Sequence, residues 1–134
     1  MASKAQGSSC VKVLVVEDNT VQRMVLSQLL RNFECEITLT VNGKEAVDLF
    51  LEGKKFDIIF CDKDMPIMTG PEAVAKIRAM GETDVKIVGM SGDDDAMEVF
   101  ISVGADIFVP KPIKVQELES VIKEVINKKK NTMV

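Results

Sequence analysis

Two carboxylates follow directly on an apolar run in the segment FDIIFCDKDMPIMTG, which spans Phe56 to Gly70. The run over residues 57–61 is typical of a buried strand, and it stops at Asp62 and Asp64. Charge is costly inside a protein unless it is paired or neutralised. Carboxylates at the end of such a strand therefore indicate a functional site. What they do depends on the other polar side chains that the fold brings to the same place.

Polar side chains also follow three other short apolar runs. Glu17 and Asp18 come after VKVLVV, Ser91 after VKIVGM, and Lys111 after ADIFVP. Carboxylates that lie within a few ångströms of one another repel and raise each other's pKa, and a divalent cation removes that penalty. Mg²⁺ prefers oxygen ligands, uses one or two carboxylates, and keeps waters that phosphate oxygens can replace. Glu17, Asp18 and Asp62 supply such ligands.

Asp62 can also act as a nucleophile, because carboxylates form aspartyl-phosphate intermediates. The metal and the ammonium of Lys111 would neutralise an incoming phosphoryl group, and the Ser91 hydroxyl could bond a third phosphoryl oxygen. The chain contains no His, which excludes Ser-His and Cys-His nucleophile systems and a phosphohistidine of its own. These residues predict phosphoryl chemistry on Asp62 with Mg²⁺, for which Mn²⁺ can substitute.

Each of these residues has a simpler interpretation when it is taken alone. Glu17 or Asp18 could cap the first helix, Ser91 could be a turn hydroxyl, and Lys111 could be a surface lysine. Asp62 is hardest to dismiss, because it interrupts a strongly apolar strand. The joint arrangement at several strand ends is what favours a site for phosphate and metal.

The apolar pattern alternates five times between strand-like runs and helical stripes. It predicts strands over residues 11–16, 35–41, 57–61, 85–90 and 105–109, and helices over residues 20–33, 44–52, 71–80, 94–103 and 115–128. The last helix carries Val115, Leu118, Ile122 and Val125 on its predicted inner stripe. This alternation predicts a doubly wound, five-stranded parallel α/β sheet with helices on both faces. Ligands bind outside the carboxyl ends of the strands in such sheets, where the candidate residues lie.

The composition narrows the function classes. A net charge of −4 argues against direct nucleic-acid binding, and no apolar run approaches the roughly 20 residues that span a bilayer. Cys10, Cys35 and Cys61 lack metal-ligand spacing. Reduced thiols are typical of a cytoplasmic or nuclear protein, so we expect cytoplasmic and/or nuclear localisation.

Four segments, taken in order, resemble the receiver domain of two-component response regulators. They are VLVVEDN over residues 13–19, Asp62-x-x-Met65-Pro66-x-Met68-x-Gly70, Ser91-Gly92 and Lys111-Pro112. The resemblance covers residues 11 to about 128, and it implies a flavodoxin-like (α/β)5 fold with strand order 2-1-3-4-5. It implies a receiver domain over residues 10–128, with flexible tails over residues 1–9 and 129–134.

The resemblance also implies roles for individual residues. Asp62 would accept a phosphoryl group from a phosphohistidine on a histidine kinase or histidine phosphotransfer protein. Ser91 and Lys111 would hold the phosphoryl oxygens. The implied Mg²⁺ ligands are Glu17, Asp18, Asp62 and the backbone carbonyl of Asp64. We hypothesise that the Asp64 side chain orients water and shortens the lifetime of the phosphate.

Other implied features concern the output of the switch. Phe108 occupies the position of the switch aromatic, and the bond from Lys111 to Pro112 is expected to be cis. The surface of helix four, strand five and helix five, near Phe100, Phe108 and Val115, is the expected partner or dimer face. The first helix is a candidate docking site for the phosphodonor. We expect a monomer or a weak, phosphorylation-dependent dimer.

The sequence departs from the commonest receiver pattern at three positions. Glu17 replaces a frequent Asp, Ser91 a frequent Thr, and Thr69 a frequent Asp. The DKDMP run and the few residues after the last predicted helix look most like the small stand-alone receivers of plants. Those work in His-to-Asp phosphorelays, including the cytokinin type, so we expect no DNA-binding output domain.

Three alternatives to a switched interaction module stay open. Asp62-Lys63-Asp64 matches the DxD of haloacid-dehalogenase-type phosphatases, although that family carries it after the first strand. The domain could instead be a phosphate sink, an aspartyl-phosphate phosphatase acting on a phosphotransfer partner. A flavodoxin-like FMN carrier would need a phosphate loop and a stacking aromatic, which Glu17-Asp18 and the lack of Trp and Tyr disfavour. Beyond Mg²⁺-dependent self-phosphorylation and self-dephosphorylation, an enzyme is the less favoured interpretation.

Overall fold

Strands and helices alternate along residues 10–132, the part of the chain that the computed structural model describes. The strands are β1 (Val11–Val16), β2 (Cys35–Thr40), β3 (Ile58–Asp62), β4 (Lys86–Ser91) and β5 (Ile107–Pro110). The helices are α1 (Thr20–Leu30), α2 (Gly43–Leu51), α3 (Gly70–Ala79), α4 (Ala96–Ser102) and α5 (Val115–Thr132). All strands pair in parallel in the order β2-β1-β3-β4-β5. The predicted fold and strand order are therefore confirmed.

The sheet is buried between two helical layers. One apolar cluster joins the sheet to α2, α3 and α4, and the other joins it to α1 and α5. Alternate side chains of one strand enter different layers, so Ile58 and Phe60 belong to one cluster and Ile59 and Cys61 to the other. This explains why the central strands read as continuous apolar runs instead of alternating ones. It also places the carboxyl end of β3 deep in the molecule.

Side-chain caps fix where the first three helices begin. Asn19 accepts a hydrogen bond from the Gln22 backbone N–H at 2.9 Å and so caps α1. Asn42 caps α2 through the backbone N–H of Glu45. Thr69 starts α3 with a reciprocal capping box. Because Asn19 performs the capping at α1, the carboxylates just before it are available for other contacts.

Apart from the end of α5, two helix ends differ from the predicted bounds by more than one residue. Helix α1 ends at Leu30, before the predicted residue 33, and the Arg31 backbone N–H closes its last turn on Ser27 and Leu29 carbonyls. Helix α4 begins at Ala96 and not at residue 94, and Asp95 at its start makes no side-chain cap.

The C-terminal helix is longer than predicted. Helix α5 continues to Thr132, so residues 129–132 are helical, and the predicted tail over residues 129–134 was wrong for them. The Lys129 ammonium donates to the Cys10 carbonyl at 2.9 Å and pairs with Asp57 at 2.8 Å. These contacts hold the last turns against the amino-terminal edge of the sheet. Residues 1–9, predicted as a tail, and residues 133–134 lie outside the described part.

The burial of two side chains, Phe100 and Val115, differs from what the sequence predicted. Phe100 is fully buried against Gly89 of β4, so it is a core residue and cannot contact a partner. Val115 was predicted on the inner stripe of α5 and is 55% exposed. Val115 is the first residue of α5. Leu118 and Ile122, three and seven residues later, are buried.

Candidate functional site

The candidate residues meet at the carboxyl edge of the sheet. Glu17 follows β1, Asp62 ends β3, Ser91 ends β4 and Lys111 follows β5, and these strands are neighbours in that order. The Lys111 ammonium lies 2.7 Å from Glu17 Oε1 and 2.8 Å from Asp62 Oδ1. One cation therefore joins residues that are far apart in sequence at a single point.

Both carboxylates that Lys111 contacts are buried. Glu17 is 2% exposed and Asp62 is 8% exposed. The second oxygen of Glu17 accepts a hydrogen bond from the Asn19 backbone N–H at 3.2 Å. Gln22, in the first turn of α1, also accepts a hydrogen bond from the Lys111 ammonium. Buried ions persist when opposite charge and hydrogen bonds compensate them, and here the single ammonium of Lys111 is shared between both carboxylates.

The environment shifts the pKa values of Asp62 and Lys111. Burial raises the pKa of Asp62 and the Glu17 charge adds to this, while the bond from Lys111 opposes it without cancelling it. Burial would lower the pKa of Lys111, but its hydrogen bonds to Asp62 and Glu17 outweigh that effect and raise it. Lys111 is therefore held as a cation. Burial, with the charges of Asp62 and Glu17, raises the pKa of Cys61, so that thiol stays neutral.

Three carboxylates form a cluster that fits a metal ion. Glu17, Asp18 and Asp62 each offer an oxygen, and these oxygens lie within 4.8 Å of one another. Two of the three residues are buried and Asp18 is exposed, so the cluster opens to solvent on one side. The ammonium of Lys111 can compensate only one of these three negative charges, so two remain uncompensated. Hard oxygen donors with surplus negative charge suit Mg²⁺.

The loop after β3 is shaped by a close backbone approach at Gly70. A Cβ at this position would lie 2.0 Å from the Asp62 carbonyl oxygen, so no other residue fits without moving the strand end. The Gly70 backbone N–H donates to the Lys63 carbonyl at 2.8 Å. Asp64 is exposed, and the part of its carbonyl as a metal ligand stays a prediction.

Ser91 is buried at the end of β4 with its hydroxyl oxygen already engaged as an acceptor. The Asp93 backbone N–H donates to Ser91 Oγ at 3.0 Å, and the Lys111 backbone N–H donates to the Ser91 carbonyl at 2.9 Å. A hydroxyl has one proton and two lone pairs. Ser91 therefore keeps its O–H available for donation.

The sequence motifs missed several contacts at this edge. Gln22 bonds Lys111, and the Arg23 guanidinium donates to the Glu17 carbonyl at 2.9 Å. Lys63 pairs with Asp93 at 2.9 Å. The sequence offered only two hints of these contacts: Gln22 and Arg23 lie in the first turn of α1, and Lys63 directly follows Asp62.

The expected switch aromatic, Phe108, lies in β5, the strand that precedes Lys111. Phe108 is half-buried, and its ring centroid is 6.2 Å from that of Phe100. The Lys111–Pro112 peptide bond is cis. The switching role of Phe108 stays a prediction.

Residues 13–123 match the family described as the response regulator receiver domain. The chain belongs to this family. It is 56% identical over 129 residues to the two-component response regulator ORR42 of Oryza sativa subsp. japonica, with 96% of each chain covered. This membership replaces the dehalogenase-type and flavodoxin-like alternatives.

Two solved structures extend the comparison to the site. The receiver domain of sensor histidine kinase PA1611 from Pseudomonas aeruginosa PAO1, with magnesium in its active-site cleft, has a TM-score of 0.79 and 29% identity. The alignment covers 88% of this chain and 98% of that one. The Saccharomyces cerevisiae receiver domain of Ssk1, solved with the histidine phosphotransfer protein Ypd1, has a TM-score of 0.78 and 27% identity. That alignment covers 86% of this chain and 88% of the other. No helix within residues 10–132 is long and apolar enough to cross a membrane.

Proposed function

We propose that this receiver domain accepts a phosphoryl group on Asp62 from a phosphohistidine and signals by a phosphorylation-dependent change of conformation. The observation that carries the proposal is the contact of one ammonium, from Lys111, with two buried carboxylates, Glu17 and Asp62, at 2.7 and 2.8 Å. A carboxylate beside a fixed cation at the carboxyl edge of the sheet is placed to accept a phosphoryl group.

The transfer forms one bond and breaks another. An Asp62 carboxylate oxygen attacks phosphorus, and the P–N bond of the partner's phosphohistidine breaks. The electron pair stays on the ring nitrogen, which leaves as neutral imidazole because the other ring nitrogen carries a proton. The ammonium of Lys111 and the free O–H of Ser91 then stabilise the phosphoryl oxygens.

A divalent ion would be held by the acidic cluster. Glu17, Asp18 and Asp62, with the Asp64 carbonyl, are the proposed ligands of Mg²⁺, with Mn²⁺ as a substitute. When bound, the ion supplies positive charge to phosphoryl oxygens. The close grouping of the three carboxylates supports this assignment.

Helix α1 and the start of the β5–α5 connection form the proposed docking surface for the donor. Val21, Met24 and Val25 are 68%, 63% and 54% exposed on α1. A cavity of about 420 Å³ lies between this helix and residues 111–113, with Lys111 and Glu17 in its lining. A histidine phosphotransfer protein or kinase that covers these apolar groups would bring its phosphohistidine near Asp62.

Mass measurement after incubation with acetyl phosphate and Mg²⁺ tests the proposal. Wild type should gain one phosphoryl group, Asp62→Asn should gain none, and EDTA should abolish the gain. Mn²⁺ in place of Mg²⁺ should restore it. An unchanged wild-type mass, or an equal gain in Asp62→Asn, would refute phosphoryl acceptance on Asp62.

The phosphate-sink alternative is favoured by one feature, the exposed carboxylate of Asp64 two residues after the acceptor. If Asp64 orients water, Asp64→Ala should lengthen the lifetime of phospho-Asp62. An unchanged lifetime would remove this role. Rapid hydrolysis at many cycles with a phosphorylated phosphotransfer protein would favour a sink over a signalling receiver.

We place the domain in a plant-type His-to-Asp phosphorelay, with the cytokinin type as the specific proposal, in the cytoplasm and/or nucleus. Similarity to the Oryza sativa regulator supports the plant assignment. The proposed output face consists of α4, β5 and the start of α5, where Met97, Ile101 and Val115 are 56%, 46% and 55% exposed. A weak dimer through this face should form only after phosphorylation, which sedimentation of both states would measure.

A further inference from the structure

An ion pair links the two loops that carry the acceptor and the hydroxyl. Lys63 directly follows Asp62, and its ammonium lies 2.9 Å from Asp93, two residues after Ser91. The Lys63 side chain is only 22% exposed, whereas that of Asp93 is 51% exposed. The pair therefore joins the loop after β3 to the loop after β4 at the mouth of the site.

The backbone of both partners reinforces this link. The Lys63 N–H donates to the Met90 carbonyl at 3.1 Å, which ties the end of β3 to the end of β4. The Asp93 N–H donates to Ser91 Oγ at 3.0 Å. Holding Asp93 in place thus also holds the group that bonds the Ser91 hydroxyl.

The direction of that hydrogen bond matters for phosphoryl transfer. Because Ser91 Oγ accepts from the Asp93 N–H, its own proton points to another acceptor. If the loop after β4 moved, the hydroxyl could rotate and present a lone pair toward the incoming phosphoryl group, which would repel its oxygens. The neighbouring residue offers little restraint, because a Cβ on Gly92 would meet no atom within 4 Å.

We propose that Lys63 and Asp93 form a positioning pair, which holds Ser91 so that its hydroxyl donates to the phosphoryl group during transfer to Asp62. The inference rests on the proposed function of Asp62. Neither side chain is assigned a bond to phosphate or metal. The pair acts through the Asp93 N–H on Ser91.

A positioning role and a simple charge effect predict opposite changes in the phosphorylation rate of the Asp93→Asn variant. If only the local field mattered, Lys63→Met would slow the approach of an anionic donor and Asp93→Asn would speed it. A positioning pair requires that both substitutions slow the transfer, because each releases the same loop. Exposed and half-exposed ion pairs contribute modestly, so we expect a two- to fivefold fall, on the order of that contribution.

The experiment measures phosphorylation of Asp62 by acetyl phosphate with Mg²⁺ over a range of donor concentrations. Lys63→Met and Asp93→Asn should each lower the maximal rate about two- to fivefold with little change in donor KM. The reversed pair, Lys63→Asp with Asp93→Lys, should recover most of the loss. Lys55→Met is the matched control, because Lys55 pairs with Glu82 at 2.8 Å and belongs to no part of the site.

A second measurement needs no phosphate. Exchange of the Asp93 amide hydrogen, followed by NMR in the unphosphorylated protein, should be about two- to fivefold faster in Lys63→Met and unchanged in Lys55→Met. Unchanged exchange, opposite rate effects of the two single variants, or no recovery in the reversed pair would overturn the inference. A wild type that takes no phosphate would refute the proposed function instead, and the amide exchange would then decide whether the pair holds Ser91.

Discussion

Gly89 lies under the ring of Phe100, and replacing it tests how tightly the sheet is packed behind the site. Gly89 is in the middle of β4, paired with Cys61 of β3. A Cβ at position 89 would lie 2.4, 2.5 and 2.7 Å from three ring carbons of Phe100. Ordinary contacts of this kind are 3.4 Å or longer, so the ring must retreat by roughly 1 Å. Phe100 is fully buried, so it has no solvent to move into.

Overpacking of a buried site generally costs about 1–3 kcal/mol, and three close contacts with a rigid ring place Gly89→Ala near the upper end of that range. Urea denaturation should therefore show a free energy of unfolding lower by about 2–3 kcal/mol with an unchanged m-value. Because Gly89 is two residues before Ser91, we also expect slower phosphorylation of Asp62.

A double-mutant cycle separates this clash from the intrinsic effect of alanine in a strand. Phe100→Ala alone should cost about 3–5 kcal/mol, since it empties a buried aromatic site. In the Phe100→Ala background the added Cβ has room, so Gly89→Ala should cost at least about 1 kcal/mol less than it does in wild type. Additive effects within about 0.5 kcal/mol would refute the reasoning.

Three further outcomes are expected from other parts of the fold. The guanidinium of Arg78 donates to three backbone carbonyls and one carboxylate at 2.8–2.9 Å, so Arg78→Ala should lower the free energy of unfolding by about 2–3 kcal/mol. Arg78→Lys should restore little of it, because an ammonium cannot make this planar set of bonds; full rescue by Lys would contradict this. Burial, with a smaller contribution from Cys10, raises the pKa of the Cys35 thiol from 9.0 to about 11. Iodoacetamide should therefore alkylate Cys35 appreciably only as the pH approaches 11. Because the folded state holds this proton more tightly, its contribution to stability is intact below pH 9.0 and lost as the pH rises through about 11; rapid alkylation at pH 8 would contradict this. Asn42→Ala should cost about 0.5–2 kcal/mol in urea denaturation through loss of the α2 cap, and Asn42→Asp less, because Asp caps helices equally well; equal losses would argue against the cap.

The strand ends were predictable because a strand buried on both faces has a continuous apolar sequence, which ends where the strand ends. The apolar run before Asp62 could only be a buried strand, and the same logic placed Glu17, Ser91 and Lys111 at one edge. The sheet order came from the resemblance to receiver domains. Periodicity could not choose among the possible orders.

Side-chain contacts between loops leave no such pattern in the sequence. The pairing of Lys63 with Asp93 joins residues 30 positions apart, and neither lies on a periodic stripe. Phe100 was assigned to the partner face, although Gly89 in a buried strand is a typical sign of a side chain pressed onto the backbone. Lys129 was assigned to a flexible tail because the resemblance to receiver domains ended at about residue 128. Its partner Asp57 is distant in sequence, so the contact left no sign in the sequence.

The charge balance of the site explains why so much acid is tolerated at a buried edge. The ammonium of Lys111 contacts Glu17 and Asp62 at once, so it divides its charge between two buried groups and satisfies neither fully. Burial therefore still raises the pKa of Asp62 even with an ammonium beside it. An arrangement optimised for stability alone would provide a second cation or one fewer carboxylate. This excess of negative charge suits the proposed divalent ion. If such an ion were held by Glu17 and Asp62, Lys111 would have less negative charge to balance and would be able to contact an arriving phosphoryl group. The incomplete charge compensation at this edge is therefore the feature that supports the proposed phosphoryl transfer.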